Sequence, residues 1–153
     1  MNVEELYRLR RRHPQLALRR LPGLAGRKAL DGDAIDLSTG YFNCIWQRDA
    51  NDMIIRSLSL TSHPPSAWNL CRPEIFRVRD VASELGELLG SPPLFSGISS
   101  NSALLGNPAR LCKALGPPST AMGQVLRWTA DWVKRGGRNL GRPTHFEVRD
   151  GVY

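Results

Sequence analysis

The chain has few of the features that mark membrane, secreted or disulfide-stabilised proteins. No stretch of its 153 residues approaches the ~18 consecutive apolar residues of a membrane-spanning helix. The first five residues, MNVEE, contain none of the apolar core of a signal peptide. Its three cysteines, Cys44, Cys71 and Cys112, are odd in number and widely spaced, which favours free thiols in a reducing compartment. We therefore expect a cytoplasmic protein that does not associate with a membrane.

Sequence motifs for metal binding and for common catalytic chemistry are also missing. The three histidines, His13, His63 and His145, are too far apart in sequence for a zinc motif. No Gly-x-Ser-x-Gly element marks a nucleophilic serine. The glycine-rich run at 136–141 follows a predicted helix, whereas a dinucleotide-binding loop joins a strand to the helix after it. We predict no metal ligand, catalytic residue or cofactor-binding residue in this chain.

Basic residues outnumber acidic ones, and 21 Lys and Arg against 14 Asp and Glu give a net charge of +7. A dense cationic cluster would favour nucleic acid, because bound cations release counterions from the phosphate backbone. Such a cluster runs from Arg8 to Lys28, but beyond residue 40 the two signs are interspersed as on a solvated surface. Nucleic acid is therefore the less favoured partner. A small basic module that binds nucleic acid or an acidic partner is kept as the alternative function.

Residues 1–31 differ in character from the rest of the chain. They are rich in Leu, Arg, Pro, Gly and Ala, and they show no sustained hydrophobic period after Pro14. A segment of this kind buries too little apolar surface to fold alone. We predict a basic, weakly structured segment over 1–31 and one domain over 32–153.

From residue 33 onward, short apolar runs alternate with helical patterns, as is typical of an α/β fold. We predict strands at 41–47, 67–71, 75–77 and 93–97. Helices are predicted after a capping Asp49, from Val78 to Gly90, between Pro108 and Gly116, and from Ser119 or Thr120 to Gly136. In the last of these, Trp128 and Trp132 are four residues apart and are predicted to form one buried ridge. The expected fold has a few short strands and four to five helices.

Three motifs occur in an order that is typical of one enzyme family. They are NCIWQRDAN at 43–51, NLCRPE at 69–74 leading into VRDVA at 78–82, and PTHFEVRDG at 143–151. In this order they resemble the C-terminal, substrate-side part of the NAD-dependent epimerases/dehydratases, which are extended short-chain dehydrogenases. The resemblance covers residues 32–153 and implies an incomplete Rossmann sheet beside a small helical region.

The family resemblance implies that the catalytic half is not in this chain. In that family an N-terminal Rossmann half binds NAD or NADP and supplies a Tyr-x-x-x-Lys pair. Here the residue four positions after Tyr7 is Arg11. Tyr41 has Ile45 there, and Tyr153 is the last residue, so no tyrosine has the matching lysine. The implied protein is truncated, inactive alone, and paired with a Rossmann-half polypeptide or with itself.

The resemblance also implies a sugar-like or other small-molecule substrate. Asn43 and Gln47 lie at the C-terminal side of a predicted strand, where the substrate groove of the family lies, and His145 lies in the third motif. These three are the candidate substrate-binding residues. Phe42 and Asn43 occupy the positions where the family often has Arg-Asp, whose arginine binds a nucleotide-sugar phosphate. This difference argues against a nucleotide sugar as substrate.

Overall fold

In the computed structural model, which describes residues 21–101 and 103–138, five α-helices alternate with four short strands. The helices are α1 (Leu21–Asp31), α2 (Gln47–Arg56), α3 (Val78–Leu89), α4 (Ala109–Leu115) and α5 (Met122–Lys134). The strands are β1 (Ala34–Asp36), β2 (Tyr41–Phe42), β3 (Phe76–Arg77) and β4 (Leu94–Ser96), and a 3-10 turn over Ser57–Leu60 extends α2. The predicted α/β class is therefore confirmed.

The strands form two separate pairs. β1 and β4 are parallel, with Ile35 opposite Phe95, and the N–H of Leu37 continues the ladder by donating to the carbonyl of Ser96 at 2.9 Å. β2 and β3 are antiparallel, with Phe42 opposite Phe76. Parallel strands are normally covered on both faces. Here only one face is covered, since Ile35 is only 2% exposed and Leu37 only 1%, whereas Ala34 and Leu94 on the other face are exposed.

The main core lies where α1, α3 and α5 pack together beside the parallel strands. It is built mainly of aliphatic side chains that are almost fully buried, including Ile35, Leu37, Phe42, Val78, Leu85, Leu126 and Val133. Gly26 of α1 faces this core, because a Cβ at Gly26 would lie 3.5 Å from Val133 Cγ2. A second, smaller cluster under α2 and α4 contains Ile45, Ala50, Met53 and Leu111.

Helix α3 forms where its apolar period predicts. Val78, Val81, Ala82, Leu85 and Leu89 of the predicted stripe are all buried. The helix ends at Gly90, whose φ of 72° is the left-handed conformation that glycine adopts without a Cβ penalty. Sequence and packing agree here because one wide apolar stripe meets one core.

We predicted that residues 1–31 have little structure, and for residues 21–31 this prediction is wrong, because they form helix α1. Ala25 and Ala29 are each 2% exposed, and α1 packs against both α3 and α5. Alanine and glycine let helices approach closely, but they contribute little to a hydrophobic period, so the sequence pattern did not indicate this helix. Residues 1–20, which hold most of the basic cluster, lie outside the described residues.

Two strand predictions also require correction. The region 67–71 is irregular, and its side chains bond to a loop, with Asn69 Nδ2 donating to the carbonyl of Asn107 at 3.1 Å. The strand predicted at 41–47 stops after Phe42, because the following backbone turns into α2. Strand β1 was not predicted, since three residues are too few to show alternation. The predicted strands at 75–77 and 93–97 are confirmed in shorter form as β3 and β4.

Candidate functional site

The carboxyl ends of β1 and β4 define the candidate site. Because the two strands are parallel, the chain leaves both at the same edge of the sheet. The segments that follow, residues 37–46 and the described residues 97–101 and 103–107, are named here the carboxyl-edge loops. In open α/β sheets, ligands bind in the crevice outside the carboxyl ends of the strands. These two loops are therefore the first place to expect a substrate.

Asn43 joins the two carboxyl-edge loops through its side-chain amide. Its Nδ2 donates to the carbonyl of Gly106 at 2.7 Å, and the N–H of Gly106 donates back to Asn43 Oδ1 at 3.2 Å. Nδ2 also lies 3.3 Å from the carbonyl of Arg72 and 3.4 Å from Cys71 Sγ. Since Asn43 is only 1% exposed, its amide acts on the protein itself and sets the spacing of the loops.

Gly40 brings the same loops together at a second point. A Cβ on Gly40 would lie 2.4 Å from Ser99 Oγ and 2.7 Å from the carbonyl oxygen of Ser100. The carbonyl of Gly40 accepts a hydrogen bond from the N–H of Val78 at 3.0 Å, which ties this loop to the start of α3. Glycine is required here by close approach, because real Cβ atoms do not sit this near backbone.

Asp36 places a carboxylate at the end of β1. Its Oδ1 accepts from the N–H of Ser38 at 2.9 Å, and its Oδ2 accepts from Ser38 Oγ at 2.7 Å. These hydrogen bonds lower the pKa of Asp36, with partial burial opposing them and the charge of Lys28 adding to the decrease. Gly97, with a φ of 72°, leaves room for the carboxylate, since a Cβ there would lie 2.6 Å from Oδ1. The site thus carries a fixed negative charge.

Arg72 is a buried cation, and each of its three side-chain nitrogens donates to a protein oxygen. Its Nε and Nη2 donate to the two carboxylate oxygens of Glu74, at 3.1 Å and 2.7 Å. Its Nη1 donates to the carbonyl of Thr120. This bidentate contact lowers the pKa of Glu74. Arg72 therefore holds the segment after Cys71 against the start of α5 and is not poised for a substrate phosphate.

Asp49 has a tertiary role in place of the predicted cap. Trp46 precedes the first residue of α2, and Asp49 lies within the first turn, 6% exposed. Its Oδ2 accepts from the N–H of Thr120 at 2.9 Å, and its Oδ1 accepts from Thr120 Oγ1 at 2.9 Å and from Ser119 Oγ at 3.3 Å. The capping prediction is therefore wrong: Asp49 stabilises the chain that leads into α5. An acidic side chain in a first turn also suits the helix dipole.

The cysteines near the site are held as thiols. Burial raises the pKa of Cys71 to about 11, with nearby Cys112 adding to the increase and the Asn43 contact opposing it. Burial likewise raises the pKa of Cys112, helped by the charge of Glu74. A protonated thiol is a poor nucleophile and a poor metal ligand. These two side chains contribute packing to the site.

The structure places the three predicted substrate-binding residues differently. Asn43 lies at the centre of the carboxyl-edge loops but is buried. Gln47 is exposed as the first residue of α2, with its Nε2 donating to Asn51 Oδ1 at 2.6 Å. His145 lies outside the described residues. Sequence analysis missed Asp36 and the role of Gly106, because a three-residue strand and a contact across 63 positions leave no local pattern.

Three further observations bear on function. Within residues 21–101 and 103–138, no three His, Cys, Asp or Glu side chains are grouped so that they could hold a metal ion. No helix in those ranges has the length and apolar character needed to cross a bilayer. The described members of the N-terminal basic cluster, Arg27 and Lys28, donate to the carbonyls of Gly137 and Ala34. Both cations thus take part in the fold.

Comparison with known proteins places the fold among NAD epimerases. No family model and no curated protein matches the chain. Among solved structures, the UDP-glucose 4-epimerase of Thermus thermophilus, in complex with NAD, matches 74% of this chain with a TM-score of 0.59 and 15% identity. A putative epimerase from Burkholderia cenocepacia J2315 matches 75%, with a TM-score of 0.58 and 21% identity. The Bordetella bronchiseptica enzyme WbmF, in complex with NADH, matches 78%, with a TM-score of 0.57 and 20% identity.

The matched region is a minor part of each of these structures. This chain covers 40%, 41% and 38% of their respective lengths. At 15–21% identity the likeness extends to the fold and not to the chemistry. The protein has an α/β fold that it shares with part of UDP-glucose 4-epimerase and related epimerases.

Proposed function

We propose that this chain is the substrate-side, C-terminal part of an NAD-dependent epimerase/dehydratase of the extended short-chain dehydrogenase type. On this proposal it is cytoplasmic, inactive alone, and completed by a polypeptide that carries the nucleotide-binding half. The observation that carries the proposal is the mismatch in coverage. About three quarters of this chain, 74–78%, matches only 38–41% of three solved structures, of which one is an epimerase, one is a putative epimerase, and two contain NAD or NADH.

Strand β1 supports the proposal because one of its edges faces away from β4. Since the N–H of Leu37 points to Ser96, the alternation of a strand directs the backbone groups of Ala34 and Asp36 to the opposite edge. There the carbonyl of Ala34 accepts from Lys28 Nζ at 3.2 Å. An edge of this kind can accept another strand. A nucleotide-binding half would extend the sheet from β1, so its docking is part of the proposal.

The carboxyl-edge loops would then contact a sugar-like or other small substrate. Asn43 would act by positioning, since its amide is buried, whereas Gln47 and His145 would offer direct contacts. Phe42, at the position where the family often has a phosphate-binding arginine, is buried and 0% exposed. The proposed substrate therefore lacks the phosphate contact of a nucleotide sugar at this position.

The first experiment is calorimetric titration of the purified chain with NAD+ and with NADP+, beside its thermal melt. We expect no heat of binding and no shift of the melting temperature, because the nucleotide site belongs to the other half. Saturable binding with a raised melting temperature would overturn the proposal.

The second experiment tests docking on β1. The part of the putative epimerase from Burkholderia cenocepacia J2315 that lies outside the matched region is expected to raise the melting temperature of this chain. Ala34→Pro should abolish this effect because it removes a donor on the free edge, while Ala34→Gly serves as the matched control. A shift that is equal for both variants would contradict docking at this edge.

A further inference from the structure

Two tryptophans on α5 remain exposed, which corrects the predicted buried ridge. Trp128 is 42% exposed and Trp132 is 41% exposed. Trp128 also contacts Trp46, the residue before α2, with ring centroids 5.2 Å apart and planes inclined by 42°. The contact fixes the orientation of Trp128 while leaving part of its ring open. Large indoles held rigid in water are unusual on a surface that binds nothing.

The charges beside these rings are mostly positive. Arg127 and Lys134 of α5 and Arg135, the residue that caps its C-terminal end, are exposed, and Asp131 is the only acidic residue of that helix. Asp131 is already paired, since Arg135 Nη2 lies 2.9 Å from its Oδ1. Arg48, in the first turn of α2 and two residues after Trp46, is also exposed. A phosphate-bearing ligand would therefore meet a net positive surface.

Helical spacing arranges these side chains in two adjacent strips. Trp128, Trp132 and Arg135 stand at i, i+4 and i+7, so they share one side of α5. Arg127, Asp131 and Lys134, at i, i+4 and i+7, form a strip beside them, in which the charge of Asp131 is offset by its ion pair with Arg135. The two indoles are four residues apart, about 6 Å along the axis. Two aromatic rings next to a strip of net positive charge form a surface that can stack unpaired bases and bind their phosphates.

We propose that this face of α5, formed by Trp46, Trp128, Trp132, Arg127, Lys134 and Arg135, binds single-stranded nucleic acid. Bases stack on Trp128 and Trp132, and Arg127 and Lys134 contact the phosphates. The activity is separate from the epimerase-like role and uses other residues. A duplex is disfavoured because its bases are already stacked. Two separate rings favour an oligonucleotide over a mononucleotide.

The test is binding of a fluorescein-labelled oligothymidine of about ten nucleotides, measured by anisotropy from about 50 to about 200 mM salt. We expect the logarithm of the affinity to fall linearly with the logarithm of salt, with a slope of roughly −0.7 per neutralised phosphate. Trp128→Ala and Trp132→Ala should each weaken binding by roughly tenfold, whereas Ile55→Ala, which alters another exposed apolar side chain, should not.

Two further variants separate the cations from the rings. Arg127→Gln combined with Lys134→Gln should weaken binding and reduce the salt slope, while the exposed Lys113→Gln on α4 should do neither. Because Trp128 contacts Trp46, Trp128→Phe is the conservative variant and should retain most of the binding.

Several results would overturn the proposal. These are no binding at the lowest salt, binding insensitive to both tryptophans, or equal binding of the matching duplex. Equal binding of polyglutamate would make the face a site for an acidic protein, and equal tryptophan quenching by NAD+ would make it a mononucleotide site. None of these results depends on a Rossmann-half partner, so they are independent of the proposed function.

Discussion

Asn43 and Gly106, 63 positions apart, exchange two hydrogen bonds in which one side-chain amide pairs with the backbone N–H and carbonyl of a single residue. The two bonds resemble the reciprocal pair that joins facing residues of antiparallel strands, but here a side chain replaces the backbone of one partner. They close the distance between the loops that follow β1 and β4. Whatever binds at the carboxyl ends of these strands therefore depends on a residue that is itself out of reach of solvent.

Replacing Asn43 by Ala should strongly destabilise the protein. The change leaves the partly buried N–H and carbonyl of Gly106 and the buried carbonyl of Arg72 without this partner. A buried polar group that is left without a hydrogen-bond partner costs about 1–3 kcal/mol. Because the structure around the site relaxes partially, we expect the free energy of unfolding to fall by roughly 3 kcal/mol in total. Urea denaturation of the variant and the unaltered chain measures this change in the free energy of unfolding.

Asn51→Ala is the control for this experiment, because Asn51 is exposed and accepts from Gln47 on the surface of α2. It should change the stability by less than about 0.5 kcal/mol. If Asn43→Ala and Asn51→Ala lowered the free energy of unfolding by similar amounts, the Asn43–Gly106 pairing would not be what holds the two carboxyl-edge loops together.

Glycine substitutions should have opposite effects at two positions. Gly40→Ala places a Cβ 2.4 Å from Ser99 Oγ and 2.7 Å from a backbone oxygen, so the loops must separate, at a cost of about 1–3 kcal/mol. Gly23→Ala, within α1, meets nothing within 4 Å and should stabilise the helix by about 0.5–1 kcal/mol. Thermal melts of both variants provide the comparison. A stabilising Gly40→Ala would contradict the close approach of the loops.

How well the sequence predicted each element depended on how local its cause is. Helix α3 was predicted because a wide aliphatic stripe and Gly90 both lie within it. Helix α1 was not, because its buried face is made of Ala25 and Ala29, which barely register as a hydrophobic period. Asp49 fits the local rule for a cap, but the structure assigns it to Thr120, 71 positions away.

The candidate site shows the same limit. The family resemblance directed attention to Asn43, yet its contact with Gly106 could not be foreseen from residue spacing. Asp36 was missed for a related reason. Its importance comes from the parallel pairing of β1 with β4, and neither three-residue strand is evident before the pairing is known.

Asp36 should make the stability depend on acid pH. Its pKa is lowered in the folded state from 3.8 by the hydrogen bonds from Ser38. A lowered folded pKa contributes stability that is fully present above the unfolded value and is lost as the pH falls through the folded value. The free energy of unfolding should therefore decrease below about pH 4.

Two variants test the origin of this decrease. Ser38→Ala removes the side-chain donor and should reduce the acid sensitivity, and Asp36→Asn should remove the Asp36 contribution. Asp33→Asn, an exposed neighbour just before β1, is the control. Urea titrations at several pH values between about 2 and 6 measure the slope. An unchanged slope in Asp36→Asn would assign the acid sensitivity to other carboxylates.

The thiols near the site should react slowly while the protein is folded. Cys71 is 2% exposed and burial raises its pKa to about 11, so almost none of it is thiolate at pH 8. Cys112 is only partly buried, although its pKa is also raised, so it should be alkylated before Cys71.

Alkylation with iodoacetamide, followed by mass spectrometry of the peptides, measures the order in which Cys112 and Cys71 react. Asn43→Asp gives a sharper test, because it removes the amide that contacts Cys71 Sγ and brings a negative charge beside it. The charge should raise the pKa of Cys71 further and slow its alkylation in molecules that remain folded, while local opening would accelerate it. Alkylation of Cys71 faster than Cys112 in the unaltered chain would contradict the buried environment assigned to it.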